Sequence, residues 1–325
     1  MSCQPATFDA PPAYDPGLGL QYGILDWDQQ AADALVATLE RLEISSLFSC
    51  RIKFIQGAKM VFALDDSGSM NSPSDDPNSN TRWDELRNFI CDALSIYGGV
   101  CVGVDFYFLN RGCILQPDGT YAAGFYPSVD HPYGTMDPNL PKPYAQNVKT
   151  FAQVDRLFDI KPGPHDLTPL SDTFEMVKTH NADIDCELII NTVTDGEPGV
   201  GWNSPNPDDL ERFGRVVTDI NETTFCNFRL CTNSDRTVKK YNEWDVGKPR
   251  VDVNDDYKKE RVEVKERKGI DMTPGEYLLK CTLGAADKTP GAENFDKWDE
   301  DTPAPKPRAT QRRPPGSGGC GCTVM

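Results

Sequence analysis

One unbroken apolar run that stops abruptly in a polar turn constrains the fold of this sequence more than any other stretch. Residues 60–64 read Met-Val-Phe-Ala-Leu and are followed by Asp-Asp-Ser-Gly-Ser. Such a run predicts a strand that is buried on both faces, as strands of parallel sheets are. The turn brings the side-chain oxygens of Asp65, Ser67 and Ser69 together, and Gly68 lets the backbone bend sharply. Oxygen ligands at the carboxyl edge of an α/β sheet suit a hard divalent cation such as Mg²⁺ or Mn²⁺.

Two later segments place further oxygens in comparable positions. Thr168 lies in the loop Gly-Pro-His-Asp-Leu-Thr-Pro-Leu at residues 163–170, just before a predicted helix. Residues 188–194 predict a second buried strand, which ends in Asp195 and a glycine. Each motif alone is more typical of an ordinary turn or helix start, because Asp, Ser and Thr bond to nearby backbone amides. Their joint occurrence in these contexts favours a shared metal site.

Taken together, these residues resemble the metal-ion-dependent adhesion site of the von Willebrand factor type A family. That site is written D-x-S-x-S, then a distant Thr and a distant Asp, and here its members are Asp65, Ser67, Ser69, Thr168 and Asp195. The resemblance implies that the serines and the threonine face the metal directly or nearly so, while the aspartates hold coordinating waters. It also implies an open metal position that accepts a carboxylate from an Asp or Glu of a partner protein. Mg²⁺ is the expected ion, with Mn²⁺ or Ca²⁺ as alternatives.

The order of the predicted elements supports one fold class. Strands and helices alternate over the region that the resemblance covers, which predicts a doubly wound α/β sheet, mostly parallel and Rossmann-like, with helices on both faces. A strand is predicted at 47–55, and the irregular stretch 116–146 predicts either an insertion near the metal edge or a mobile surface excursion. The predicted segments are disordered residues 1–24, a helix and strand packing on the core at 25–54, the type A domain at 55–235, a helical extension at 236–300 and a flexible tail at 301–325.

Composition narrows the class of protein. The chain has 325 residues, 38% of them hydrophobic, and a net charge of −17, which argues against non-specific binding to nucleic acid. No N-terminal stretch resembles a signal peptide and no apolar run is long enough to span a bilayer. We therefore expect a cytoplasmic protein whose 11 cysteines are reduced thiols, with extracellular disulfides as the alternative. With three histidines and no Cys-x-x-Cys pair, a structural zinc site is not expected.

A short proline motif near the N-terminus suggests a second kind of partner. Pro11, Pro12 and Tyr14 form the P-P-x-Y pattern that WW domains bind, in which a preformed polyproline turn is followed by a tyrosine that fills a pocket. This motif would make the protein an adaptor for a WW-domain protein such as a HECT-type ubiquitin ligase. A plain linker fits the same four residues equally well.

The last residues suggest attachment to a membrane. Cys322 is followed by Thr-Val-Met, which matches a C-a-a-X prenylation box, and Cys320 offers a second lipid site. Residues 302–325 also carry four Lys or Arg and no acid, which would attract an anionic leaflet. Since one lipid chain gives only marginal membrane affinity, a second signal of this kind is needed. The expectation is a peripheral protein on the cytoplasmic face of a membrane, and a chance cysteine is the alternative.

The hypothesis that the protein is an enzyme has less support in the sequence. An Asp at the end of a first strand is also typical of phosphotransferases of the haloacid dehalogenase type, which would make the protein a metal-dependent hydrolase. Those enzymes need D-x-D, and Ser67 stands where the second acid is required. The sequence gives no sign of a Ser-His-Asp or Cys-His arrangement, and we therefore expect a binding protein, not an enzyme.

Overall fold

The computed structural model is an α/β protein built on a mixed sheet. Its described residues form eight strands and nine α-helices, with short 3-10 turns between them. The described ranges are 29–74, 76, 78–110, 114–115, 121–122, 145–159, 161–162, 168–199, 207–232, 234–245, 247–290, 294–295 and 298.

Six of the described strands form one sheet in which all but one strand run parallel. The sheet order is β5-β2-β1-β6-β7-β8, and the edge strand β5 pairs antiparallel with β2. Strands β3 and β4 form a separate two-stranded ribbon. The strands are β1 (Lys59–Leu64), β2 (Gly103–Phe108), β3 (Ile114–Leu115), β4 (Tyr121–Ala122), β5 (Ala145–Val148), β6 (Leu188–Thr194), β7 (Thr224–Leu230) and β8 (Val251–Asn254).

The helices cover both faces of this sheet, as the alternation of side chains along β1 shows. Phe62 points into a core shared with the first, third and ninth helices, whereas Val61 points into a second core shared with the fifth, sixth and seventh. The whole of β1 except Lys59 is buried, as an apolar strand between two layers of helices must be. The helices are α1 (Gln29–Arg41), α2 (Ser46–Ser49), α3 (Arg82–Val100), α4 (Asp155–Phe158), α5 (Leu170–His180), α6 (Pro207–Thr218), α7 (Asp235–Asp245), α8 (Tyr257–Lys268) and α9 (Pro274–Leu283).

The prediction of an α/β protein with a mostly parallel sheet is confirmed, and two local predictions need correction. Residues 47–55 form α2 and a 3-10 turn at Ile52–Ile55, not a strand. Their buried side chains Phe48, Ile52 and Ile55 are spaced four and three residues apart, which is a helical period. The segment 236–300, predicted as helical, also contributes strand β8 to the sheet.

Several predicted features lie outside the described residues. These are the proline motif at Pro11, Pro12 and Tyr14, the lipidation sites Cys320 and Cys322, and most of the stretch 116–146. Binding of a WW domain and prenylation therefore stay predictions. Among the residues that the structure describes, none of the helices has the length and apolar character needed to cross a membrane.

Candidate metal centre

The candidate site lies at the point in the sheet where the strand order reverses. From β1 the chain crosses through α3 to β2 on one side, whereas β6, β7 and β8 extend the sheet on the other side. Strands β1 and β6 are parallel neighbours at this reversal, and the Asp65 N–H donates to the Val193 carbonyl at 2.9 Å. The residues that follow the two strands, Asp65 and Asp195, are therefore held side by side at the carboxyl edge, where open α/β sheets bind ligands.

Asp65 is completely buried and is fixed by two hydrogen bonds. Its Oδ1 accepts from the Ser67 N–H at 2.9 Å, and its Oδ2 accepts from the Thr194 hydroxyl at 2.5 Å. The first bond closes a tight turn between the aspartate and the serine, as Asp side chains commonly do. The second ties the end of β1 to the end of β6. The orientation of this carboxylate is thus set by both strands.

A continuous chain of close oxygen contacts joins the Asp65 turn to Asp195. The Ser67 and Ser69 hydroxyl oxygens lie 2.9 Å apart, and the Ser69 hydroxyl donates to Asp195 Oδ1 at 2.7 Å. The other oxygen of Asp195, Oδ2, accepts a short hydrogen bond from the Arg82 guanidinium. Residues 67, 69 and 195 therefore converge, as the sequence predicted, although 126 positions separate Ser69 from Asp195.

Thr168 is buried beside the residue that follows Asp195. Its backbone pairs with Gly199 through two hydrogen bonds of 2.9 and 3.0 Å. A β-carbon added at Gly196 would lie 2.8 Å from the Thr168 hydroxyl, so glycine is needed for this close approach. The structure thus brings Thr168 against the end of β6, and all five predicted residues lie at one edge of the sheet.

Burial makes the negative charge of Asp65 costly. Desolvation, followed by the nearby charge of Asp195, raises the pKa of Asp65 from 3.8 to about 7. The hydrogen bonds from Thr194 and Ser67 act in the opposite direction and do not cancel these effects. A cation among these groups would favour the ionised carboxylate, because an opposite charge nearby offsets the loss of solvation.

The donor atoms fit a small hard cation. The set consists only of carboxylate and hydroxyl oxygens, which suit Mg²⁺ and Mn²⁺. In an octahedral site with Mg–O distances of about 2.0–2.1 Å, neighbouring oxygens lie about 3 Å apart, and Ser67 and Ser69 hold theirs 2.9 Å apart. In the described part of the chain no group of three or more His, Cys, Asp or Glu could hold a metal ion, so a site here depends on hydroxyls as well as carboxylates.

Two residues of the site were not found from the sequence. Thr194 lies at the end of β6, and once β1 and β6 are known to be parallel neighbours its position next to Asp65 follows from the register. Arg82 begins α3 directly after Thr81, which forms a capping box with Asp84. The sequence marks this helix start, but it does not show that the first side chain of the helix reaches Asp195.

Comparison with models of known protein families and with curated proteins finds no match to this chain. Any inference of function must therefore come from the chemistry of the site.

Proposed function

We propose that this chain is a doubly wound protein of the von Willebrand type A kind, which binds a partner protein through a divalent cation at this edge. The observation that carries the proposal is the chain of contacts from Ser67 through Ser69 to Asp195, which unites two distant segments at the reversal point of the sheet. Mg²⁺ is the proposed ion, because the spacing of the hydroxyl oxygens suits its short metal–oxygen distances.

Each residue of the site has a distinct role in this proposal. Asp65 and Asp195 supply the negative charge that attracts the cation, and Ser67, Ser69 and Thr168 contribute neutral oxygens. When bound, the cation supplies an electrophilic position that accepts a carboxylate oxygen from an Asp or Glu of the partner. The hydroxyls keep their protons, so the protein offers the ion fewer charges than an all-carboxylate site would.

Arg82 adjusts the charge of the site. The two aspartates carry two negative charges when ionised, and the guanidinium on Asp195 offsets one of them. With a divalent cation bound, the site as a whole then carries a net positive charge, which favours the capture of an external acid. In the cation-free protein the same ion pair compensates the negative charge of the buried Asp195 carboxylate.

Replacement of Arg82 by glutamine is expected to raise the affinity for Mg²⁺ about five- to thirtyfold. The reason is that a like charge is removed near the cation, and at this partly exposed position it is worth about 1–2 kcal/mol. Calorimetric titration with Mg²⁺ measures the change. Arg87→Gln is the matched control, since Arg87 is equally exposed, lies on the same helix and pairs with Asp155 instead. An unchanged or lower affinity in Arg82→Gln would show that Arg82 does not oppose the cation.

The function itself is tested by affinity capture. Immobilised wild-type protein is exposed to lysate in Mg²⁺ and in EDTA, and the Asp65→Ala variant is exposed in Mg²⁺. The proposal predicts proteins that are recovered by the wild type in Mg²⁺ only, and that are released by added acetate or by EDTA. Recovery of the same proteins in all three conditions would remove metal-bridged binding as the function.

A further inference from the structure

The start of α7 brings a basic surface to the edge of the sheet that carries the candidate metal centre. This helix follows the carboxyl end of β7, the strand next to β6. Directly after β7, the Cys231 N–H donates to the Thr194 carbonyl at 2.8 Å, and Asp195 is the next residue of that segment. Arg236 lies in the first turn of α7. It is therefore at the same edge as the proposed cation.

Three contacts tie α7 to the segment that leaves β6. The Tyr241 hydroxyl donates to the Gly196 carbonyl at 3.0 Å. Lys240 forms a short ion pair with one carboxylate oxygen of Glu197, and Arg236 Nε lies 3.3 Å from the other oxygen. The side chain of Glu197 is only 10% exposed. The position of the Arg236 guanidinium is thus set by a residue that follows the metal centre closely in the chain.

Arg236 is a surplus cation in this cluster. Glu197 already has Lys240 as a close partner, and Arg236 contacts it through Nε alone. The Arg236 side chain is 70% exposed, and no described residue binds its terminal nitrogens, Nη1 and Nη2. An ion pair this exposed adds little to stability, so the fold does not depend on Arg236. Its terminal nitrogens are open to a group that comes from the solvent.

A guanidinium and a cation at this separation suit two acids of one peptide segment. The terminal nitrogens of arginine form a planar fork of donors that matches a carboxylate. Since Glu197 follows Asp195 by two positions, the guanidinium lies within roughly 15 Å of the Asp195 backbone. In an extended peptide, residues two and four positions apart share a face and are separated by about 7 and 13 Å. One such segment therefore spans the two positions.

The local charge favours an acidic segment although the protein as a whole is acidic. The first six residues of α7 hold three cations and one acid, whereas the whole chain carries a net charge of −17. The acid, Asp235, is itself paired with Lys259 at 3.0 Å. Local positive charge of this kind raises the rate at which an acidic partner associates and aligns it on the surface.

We propose that the partner of the metal centre presents two acidic residues, two or four positions apart in an extended segment. One carboxylate binds the cation, and the other binds the terminal nitrogens of Arg236. Glu197 and Lys240 position the guanidinium. This proposal rests on the proposed function, because the first carboxylate is held by the cation. Arg236 then determines specificity, since a segment with one acid engages only the metal.

Peptide titrations followed by NMR test the proposal. The probes are acetylated, amidated peptides in which two glutamates are separated by one or by three glycines, and the same peptides with either glutamate replaced by glutamine. In Mg²⁺ and low salt, the wild type should bind at least one diacid about fivefold or more tightly than its single-acid versions. This exceeds the twofold gain expected merely from offering two acids to the cation. The gain should shrink in 300 mM NaCl, because salt screens exposed charges.

Variants of Arg236 identify the second contact. Arg236→Gln should remove the gain, and Arg236→Glu should bind the diacid less tightly than the single acid but favour a peptide in which lysine replaces the second glutamate. Arg215→Gln is the matched control and should keep the full gain. Arg215 is 66% exposed and pairs with the single acid Glu211, but α6 carries it towards the opposite edge, where β7 begins. Melting temperatures in EDTA establish that all variants are folded.

The single-acid peptides separate this proposal from the proposed function. Their binding in Mg²⁺ but not in EDTA supports metal-bridged capture on its own. If they bind in this way but neither diacid gains affinity, or if the gain survives in Arg236→Gln, the second contact is wrong and the metal function stands. If no peptide binds better in Mg²⁺ than in EDTA, both proposals are overturned.

Discussion

Replacement of Asp65 by asparagine is expected to lower the affinity of the protein for Mg²⁺ at least a hundredfold. A full charge about 4 Å from another, at an effective dielectric constant of about 20, is worth about 4 kcal/mol, and every 1.4 kcal/mol is about a factor of ten in affinity. Asp65 is completely buried, so solvent does not screen it as it would an exposed carboxylate. Titration calorimetry and the Mg²⁺-dependent rise in melting temperature measure the loss.

The control for Asp65 is a carboxylate far from the site. Asp219 is 92% exposed and pairs only loosely with Lys178 at 3.5 Å, so Asp219→Asn should leave Mg²⁺ affinity unchanged. The melting temperature in EDTA establishes that both variants are folded. If Asp65→Asn binds Mg²⁺ as tightly as the wild type does, the aspartate at the end of β1 does not serve the cation.

Replacement of Lys280 by methionine is expected to destabilise the protein by about 3–5 kcal/mol, the usual cost of removing one partner of a buried ion pair. Lys280 on α9 is fully buried; its Nζ lies 2.9 Å from Glu260 Oε1 on α8 and donates to Asn254 Oδ1 on β8 at 2.8 Å. Methionine keeps the length of the side chain but leaves the carboxylate of Glu260 buried without this charge. In thermal melting the loss corresponds to about 4–7 °C, because the unfolding entropy of a chain of 325 residues is about 0.7 kcal/mol/K.

Lys288 provides the matched control for this loss of stability. It pairs with Glu187, but its side chain is 47% exposed, and Lys288→Met should change stability by less than about 1 kcal/mol. The double variant Lys280→Met/Glu260→Gln should regain part of the lost stability, because the buried charge is removed with its partner. A Lys280→Met protein as stable as the wild type in urea denaturation would contradict the buried ion pair.

The sheet and its faces were largely predictable because apolar runs report burial directly. The run at 60–64 and the run at 188–194 are strands of the mostly parallel sheet, each buried as predicted. Strand β8 was missed because Asp252 and Asn254 alternate with two valines and look like a solvated segment. Both polar side chains are in fact buried, and Asn254 accepts from Lys280. Such a strand is stable only because side chains from elsewhere in the fold, such as Lys280, bind its polar groups.

The candidate site was predictable as a set of residues but not as an electrostatic arrangement. The spacing of Asp65, Ser67 and Ser69 fixes a single turn, and the strand ends fix where Asp195 lies. The ion pair between Arg82 and Asp195 joins residues 113 positions apart, and no local sequence pattern predicts it.

The most direct test of the central claim is the anomalous scattering of crystals grown with Mn²⁺. We expect one strong peak that is coordinated by the Ser67 and Ser69 hydroxyls and lies beside Asp195 and Thr168, and no peak there in crystals of Asp65→Ala. A peak elsewhere in the wild type, or no peak at this edge at millimolar Mn²⁺, would contradict the proposed metal site.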